Sequence, residues 1–305
     1  MNEQINNLVM ALRFFAQISV ELVVLFIGIT FLVSLILQYV SSEKVKRFLS
    51  GRRLGLGNIV AAAFGGATPF CSCSAVPMLV GLLDLGVPFG VAMSFLIASP
   101  LGIFNPVVLS LFGTFLGPHV LILYMITTFV AAVVAGILLD ALGLGSYVKK
   151  VRIIGDAHNS QEDNVLPLKE RIKASAQNAV ALFLQMVPYL VGGVVIGAFI
   201  YGFVPASFLA RVAGPGNPFA IPVAAAIGVP LYIRTETIIP VGHALIQKGV
   251  SVGAVMALTI GGAGASVPEL SMLAGIFKRR LWVAYIITMF AIATIIGYLF
   301  NFIVS

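Results

Sequence analysis

The chain has 305 residues, of which 60% are hydrophobic and only 10% charged, and its mean hydropathy is +1.08. That composition excludes a soluble globule. The formal net charge of +7 does not mark a nucleic-acid surface, because the basic residues fall in three short loops between apolar runs, the distribution that positive-inside bias produces.

The first apolar run, roughly Phe14 to Val40, is as long as a full span and carries no small-residue cleavage site before Lys44, so it reads as a span rather than a signal peptide. A basic cluster follows, with Lys44, Lys46, Arg47, Arg52 and Arg53. Leu54 to Leu83 and Pro88 to Leu116 come next, separated only by Asp84-Leu85-Gly86-Val87, and then His119 to Leu142. The one long polar stretch, Gly145 to Ser175, holds Lys149, Lys150, Arg152, Lys169, Arg171 and Lys173 and reads as a loop between two halves. The second half contains Ala176 to Val204, Pro218 to Ile246, Val250 to Phe277 and Leu281 to Val304, with Lys278, Arg279 and Arg280 before the last run.

The chain is written twice. An offset of 163 lays Ala61-Ala62-Ala63 and Gly65 on Ala224-Ala225-Ala226 and Gly228, Pro77 on Pro240, Gly86 on Gly249, Gly90 on Gly253 and Met93 on Met256. The predicted domains are a first transmembrane repeat, 1–144, a cytoplasmic linker loop, 145–175, and a second transmembrane repeat, 176–305. If all three basic loops are cytoplasmic, one run in each half must enter and leave on the same side. Leu54 to Leu83 and its twin Pro218 to Ile246 fit: each is about thirty residues, roughly 45 Å of helix if continuous, and each is interrupted near its midpoint. The expected fold is an all-α polytopic membrane protein of two inverted repeats, each with transmembrane helices and a broken re-entrant hairpin. Full but kinked spans are the competing arrangement.

Paired broken apolar segments are the best sequence pointer to a transporter's binding site. The first break is Thr68-Pro69-Phe70-Cys71-Ser72-Cys73-Ser74-Ala75-Val76-Pro77, and Cys71 and Cys73 are the only cysteines of the chain. Paired soft sulfur ligands suit copper(I), zinc or trivalent arsenic-like species. Two cysteines alone do not make a four-ligand structural zinc site, and Cys is also a small residue that permits close packing. The second break puts Arg234-Thr235-Glu236 at the corresponding place, and charges inside an apolar run mark a functional site by default. A mutually neutralising ion pair that shapes the tip is the alternative.

The following runs are broken as well, at Ala98-Ser99-Pro100-Leu101-Gly102-Ile103-Phe104-Asn105-Pro106 and at Gly261-Gly262-Ala263-Gly264-Ala265-Ser266-Val267-Pro268-Glu269. Unwound backbone there can bind ions or polar cargo, while small residues also serve tight helix packing. Glu269 is a carboxyl deep in an apolar run, a candidate proton carrier or cation ligand. Glu21 and Gln185 correspond in the first span of each half; bundle hydrogen bonding and, for Glu21, proton coupling are the two readings. His243 reads as a packing residue. No P-loop, nucleophile elbow, zinc-protease helix or dinucleotide fingerprint is present.

The Pro-Phe-Cys-Ser-Cys-Ser tip, the Ser-Pro…Asn-Pro break and Gly228-Val229-Pro230-Leu231-Tyr232 leading into the second tip resemble the bacterial predicted-permease family. That family includes organoarsenical efflux permeases (ArsP-like) and YraQ-like permeases, and the resemblance covers nearly the whole chain. It implies a multi-pass inner-membrane permease, with soft metal or metalloid cargo in some members, and Cys71 and Cys73 match the first-tip cysteines. The second tip departs from the arsenical-type pattern, which has cysteine or small polar residues where Arg234 and Glu236 stand. That departure argues against a trivalent organoarsenical as cargo.

The resulting expectation is a permease, not an enzyme, without a cofactor, moving a small thiophilic metal or metalloid species outward. Its partners are the lipid bilayer and a small substrate, with no nucleic acid, and homo-oligomerisation is left open. Cys71, Ser72, Cys73, Asn105, Arg234, Thr235 and Glu236 are the expected substrate contacts, with Cys71 and Cys73 the thiolates for a metal. Glu236, Glu269 and Glu21 are the expected proton-coupling groups. A proton-coupled transporter of a small, sulfur-containing anion is the second transport reading. A membrane thiol oxidoreductase is the reading from another class.

Overall fold

The computed structural model describes residues 55–67, 72–149, 219–229, 235–247 and 249–304, with isolated helical positions between 23 and 31 and between 172 and 191. For residues 72–74, 236 and 237 it describes the backbone. Most of the first long run, the tip cysteine Cys71, the tip arginine Arg234, most of the polar linker, and Glu21 and Gln185 lie outside the described residues.

Ten α-helices cover these segments: α1 Leu56–Ala67, α2 Ser72–Asp84, α3 Phe89–Ala98, α4 Pro106–Phe115, α5 Pro118–Ala141, α6 Ala220–Gly228, α7 Thr235–Gln247, α8 Val252–Gly264, α9 Val267–Ile276 and α10 Arg279–Val304. A 3₁₀ turn, Leu144–Tyr147, follows α5. Among the described residues, α5 and α10 are long and apolar enough to cross a membrane. Helices α8 and α9 together form a third such element, bent by 41°. The others are shorter; at 12 and 13 residues, α1 and α2 reach roughly 18–20 Å each, well short of a ~30 Å hydrocarbon core. One stripe of α5, Ile122, Ile126, Val130, Val134 and Ile137, stays exposed, as a lipid-facing surface does.

Elements of the structure recur at the 163 offset. Helix α2 and helix α7 begin and end 163 positions apart. In the first half α1 packs on α3, α3 on α5 and α1 on α5; in the second, α6, α8 and α10 make the same three pairings. Glycines set how closely the backbones approach. A Cβ on Gly65 would stand 2.6 Å from the Phe95 carbonyl oxygen, and one on Gly228 would stand 2.6 Å from that of Leu258, its equivalent. After the broken helix the offset falls to 161, which pairs Tyr124 with Tyr285 and Gly136 with Gly297. Gly136 then seats against the Gly90 carbonyl, and Gly297 against that of Gly253.

The halves also contact each other reciprocally. Helix α7 packs on α4, and α2 packs on α9, so the equivalents exchange partners. Phe115, at the end of α4, makes a ring contact of 5.6 Å with His243, late in α7. At the other end of the molecule, Val80, Leu83 and Asp84 of α2 share a cleft with Ile276 of α9 and with residues Gly145 to Lys149. There the chain leaving α5 is stitched to the chain entering α10. Val148 bridges Phe277, the Lys149 ammonium donates to the Ala274 carbonyl at 2.7 Å, and Arg280 donates to the Tyr147 hydroxyl at 2.8 Å. Two basic stretches therefore share one end of the molecule.

The glycine contacts generate a test. Gly136→Ala forces a methyl against Ser94 and the Gly90 backbone and should lower stability by about 1–3 kcal/mol through overpacking. Gly113→Ala, whose Cβ would meet nothing nearer than 3.8 Å, should be neutral or slightly stabilising. Thermal unfolding of both variants in detergent checks the contrast.

Candidate functional site

Each half breaks a helix beside its own long span. In the first, α3 ends at Ala98 and α4 starts at Pro106. Pro106 suits the first helical position because its missing N–H is not needed there, and the Asn105 side chain caps the helix by accepting from the Val107 N–H at 2.9 Å. The Phe104 N–H donates to the Gly66 carbonyl at 2.9 Å, which sets the end of α1 at the level of the break. Phe104 also packs edge-on against Phe129 at 5.8 Å, and Phe129 stands near the middle of α5.

The second break is shorter. It falls inside the glycine-rich stretch, while Gly261, Gly262 and Gly264 are all helical residues of α8. Their role is close approach: Gly261 lies on the Ala225 carbonyl, Gly262 on that of Gly228, and Gly264 under the Met289 methyl. Only Ala265 and Ser266 separate α8 from α9.

A tyrosine from the long span closes each break. Tyr124 donates to the Leu101 carbonyl at 2.7 Å, and Tyr285 donates to the Gly264 carbonyl at 2.8 Å. Leu101 and Gly264 are themselves equivalents, and they meet: a Cβ on Gly264 would lie 3.9 Å from Leu101 Cδ2. The two breaks thus meet at Leu101 and Gly264. Thr235, the first residue of α7 and buried, donates to the Pro100 carbonyl at 3.3 Å. That bond carries the start of the second tip helix into the first break.

Two buried hydroxyls at this junction, Ser99 Oγ and Ser266 Oγ, have no hydrogen-bond partner among the described residues. Glu269, in the first turn of α9, is fully buried, and its Oε1 lies 3.1 Å from the Tyr285 hydroxyl. The equivalent of Glu269 in the first half is Val108, also fully buried.

Of the residues that the sequence singles out, the structure brings Asn105, Thr235 and Glu269 to the paired breaks. Asn105 acts there as a helix cap. Ser72, Cys73 and Glu236 stand in the first turns of α2 and α7, with their side chains outside the described residues, as are Cys71, Arg234 and Glu21 altogether. His243 bonds Gln247 at 2.9 Å and packs on Phe115, away from the breaks. Sequence reasoning passed over Ser99, Ser266 and the tyrosine pair. The 161 offset, which lays Tyr124 on Tyr285, is the signal that could have found the tyrosines. Among the described residues no three His, Cys, Asp or Glu side chains cluster as a metal site. The cleft of about 570 Å³ that contains Asp84 and Lys149 opens at the basic end of the molecule and not at the breaks.

Comparisons with known proteins agree with a membrane transporter. The chain is 24% identical over 280 residues to the UPF0718 protein YcgR of Bacillus subtilis, covering 90% of this chain and 92% of that one. It is 29% identical over 130 residues to the UPF0718 protein MJ0584 of Methanocaldococcus jannaschii, covering 43% of this chain and 36% of the archaeal protein. No solved structure matches. Residues 7–302 match the sequence profile described as predicted permease. Nearly the whole chain is spanned by that match, and the chain belongs to the predicted-permease family.

Proposed function

We propose that this permease is an inverted-repeat transporter that exports a small thiophilic metal or metalloid species through a site where its two tips and two helix breaks converge. The observation that carries the reading is the meeting of Leu101 and Gly264, equivalent positions in two broken helices, with Thr235 of the second tip bonded into the first break. Unwound backbone at membrane depth is tolerated only where protein or an aqueous cavity covers it, and paired breaks of this kind form transporter binding sites. Two buried serine hydroxyls without partners are polar groups that a cargo or its water could satisfy.

Inversion is supported by the directions of the long spans. Helix α5 ends, and its equivalent α10 begins, at the Val148–Phe277 bridge, so equivalents cross in opposite senses. Re-entry is supported in the same way. Gly55, before α1, lies beside Ile137 near the end of α5, and α2 returns to the same end at Asp84. With basic residues at that end, positive-inside bias makes it cytoplasmic in a cell inner membrane. The repeats would be 1–144 and 176–305, joined by the linker 145–175. Cys71, Ser72 and Cys73 would offer soft contacts to the cargo, while Arg234, Thr235 and Glu236 would set its charge. The arginine also supports a second reading, a small anion, and alternating access would arise from motion of one repeat against the other.

Labelling tests the topology. In a Cys71→Ser, Cys73→Ser background, Asp84→Cys and Lys278→Cys should react with an impermeant thiol reagent from the cytoplasmic side only. His119→Cys and Gln247→Cys should react from the opposite side only. Asp84 and Gln247 labelled from one common side would rule out inversion.

Transport in proteoliposomes tests the cargo, with arsenite, cuprous ion and thiosulfate compared side by side. Cys71→Ser with Cys73→Ser should abolish movement of the thiophilic species, since serine keeps the size and removes the soft ligand. If the cargo is thiosulfate, Arg234→Gln should raise its half-saturating concentration about tenfold or more, because a charge-assisted hydrogen bond contributes roughly 1.5–3 kcal/mol. A purely structural Arg234–Glu236 lock predicts the reverse pattern: the double Gln variant would transport better than either single one, which strands a charge.

A further inference from the structure

We infer that Glu269 is a proton-binding site whose occupancy controls the Tyr285 closure of the second helix break. The internal duplication supplies the control. In the first half, Tyr124 donates to the Leu101 carbonyl, and Val108, third in α4 as Glu269 is third in α9, is fully buried. The second half keeps that closure, Tyr285 to Gly264, and replaces the valine with a fully buried carboxyl. Packing at this position does not require a carboxyl, since an apolar side chain fills it in the other repeat. Nor does capping of α9: Ser266 makes no side-chain cap bond, and the Glu269 Oε1 is aimed at the tyrosine instead, at 3.1 Å.

Proton counting gives the mechanism. A phenol carries one proton, a backbone carbonyl only accepts, and an ionised carboxylate only accepts. With Glu269 protonated, its carboxyl O–H donates to the Tyr285 oxygen, and the tyrosine hydroxyl goes on donating to the Gly264 carbonyl. The break is then closed as in the first half. When the carboxyl gives its proton to water, two acceptors compete for the one hydroxyl proton, and the charged one holds it roughly twice as strongly as a neutral one. The hydroxyl turns to Oε1, and the Gly264 carbonyl, opposite Leu101, is released to the site. Tyr285 keeps its own proton throughout. The proton that Glu269 binds is taken from water and returned to water.

The helices packed on α9 are α2 and α10. Of their described ionisable side chains, Asp84 is exposed at the far end of α2, Arg279 and Arg280 are exposed at the start of α10, and Tyr298 lies more than three turns beyond Tyr285. Of these, Tyr285 bonds Glu269, and Lys149, from the segment after α5, reaches α9 at the Ala274 carbonyl; the side chains of Cys73, Arg234 and Glu236 are outside the described residues.

The role in transport rests on the permease reading, whereas its test does not. Infrared difference spectra of the full chain in lipid nanodiscs, taken across a pH titration, report buried carboxyl protonation directly. The wild type should show a protonated carboxyl C=O band that is lost as pH rises and is missing in Glu269→Gln. Tyr285→Phe should retain the band at a displaced frequency, and Tyr124→Phe should leave it in place. A wild-type spectrum identical to that of Glu269→Gln overturns the inference. Should Glu269→Gln fail to fold, an undisplaced band in Tyr285→Phe overturns it equally. If the band behaves as expected while arsenite, cuprous ion and thiosulfate all fail to move, the proton site stands and the cargo reading falls.

Discussion

A helix that stops halfway across a hydrocarbon layer leaves carbonyls with no water to take, and each such group costs several kcal/mol if unsatisfied. Tyr124 and Tyr285 meet that constraint, each reaching from an intact long span to a carbonyl at the end of a broken helix. The remaining architecture follows from these two bonds. They hold the breaks against the only described helices long enough to cross a membrane unaided, and they bring Leu101 and Gly264 face to face. Without them, the irregular backbone at the breaks would have no stable place in the bilayer.

Between these bonds and the helix ends, glycine does the packing. Association inside a membrane gains little from the hydrophobic effect and depends on close backbone approach. Gly65, Gly90 and Gly136 serve that purpose in one half and Gly228, Gly253 and Gly297 in the other. Because both halves use the same contacts, their differences stand out as additions. Asn58 donates to Ser94 at 2.9 Å in the first half, where the second has Ile221 and Ala257. Asn105 caps α4, while Ser266 leaves α9 uncapped. Glu269 in place of Val108 puts a buried ionisable group at the break.

An arrangement of two similar halves running in opposite directions offers a simple route to alternating access: whatever one half does toward one side, the other can do toward the opposite side. Its energetic requirement is an asymmetric signal that says when. A carboxyl present in one repeat and absent from the other meets that requirement, since its charge state changes the hydrogen bonding of one break and leaves the other untouched.

Much of this was legible in the sequence. Composition identified the membrane, the 163 offset identified the repeats, and proline at Pro100 and Pro106 located the first break, because each of these signals is local or periodic. The glycines of the second break stayed open between two uses, since Gly can either unwind a helix or let another backbone approach it. Only the neighbours of Gly261 and Gly262, the Ala225 and Gly228 backbones, decide between those uses. The tyrosines were missed for a related reason: a tyrosine in an apolar run shows no partner in sequence when its acceptor lies 21 or 23 residues away. Sequence by itself determined which segments can live in lipid and where they break. Tertiary structure decided which breaks face each other, because that depends on contacts between halves that no local pattern encodes.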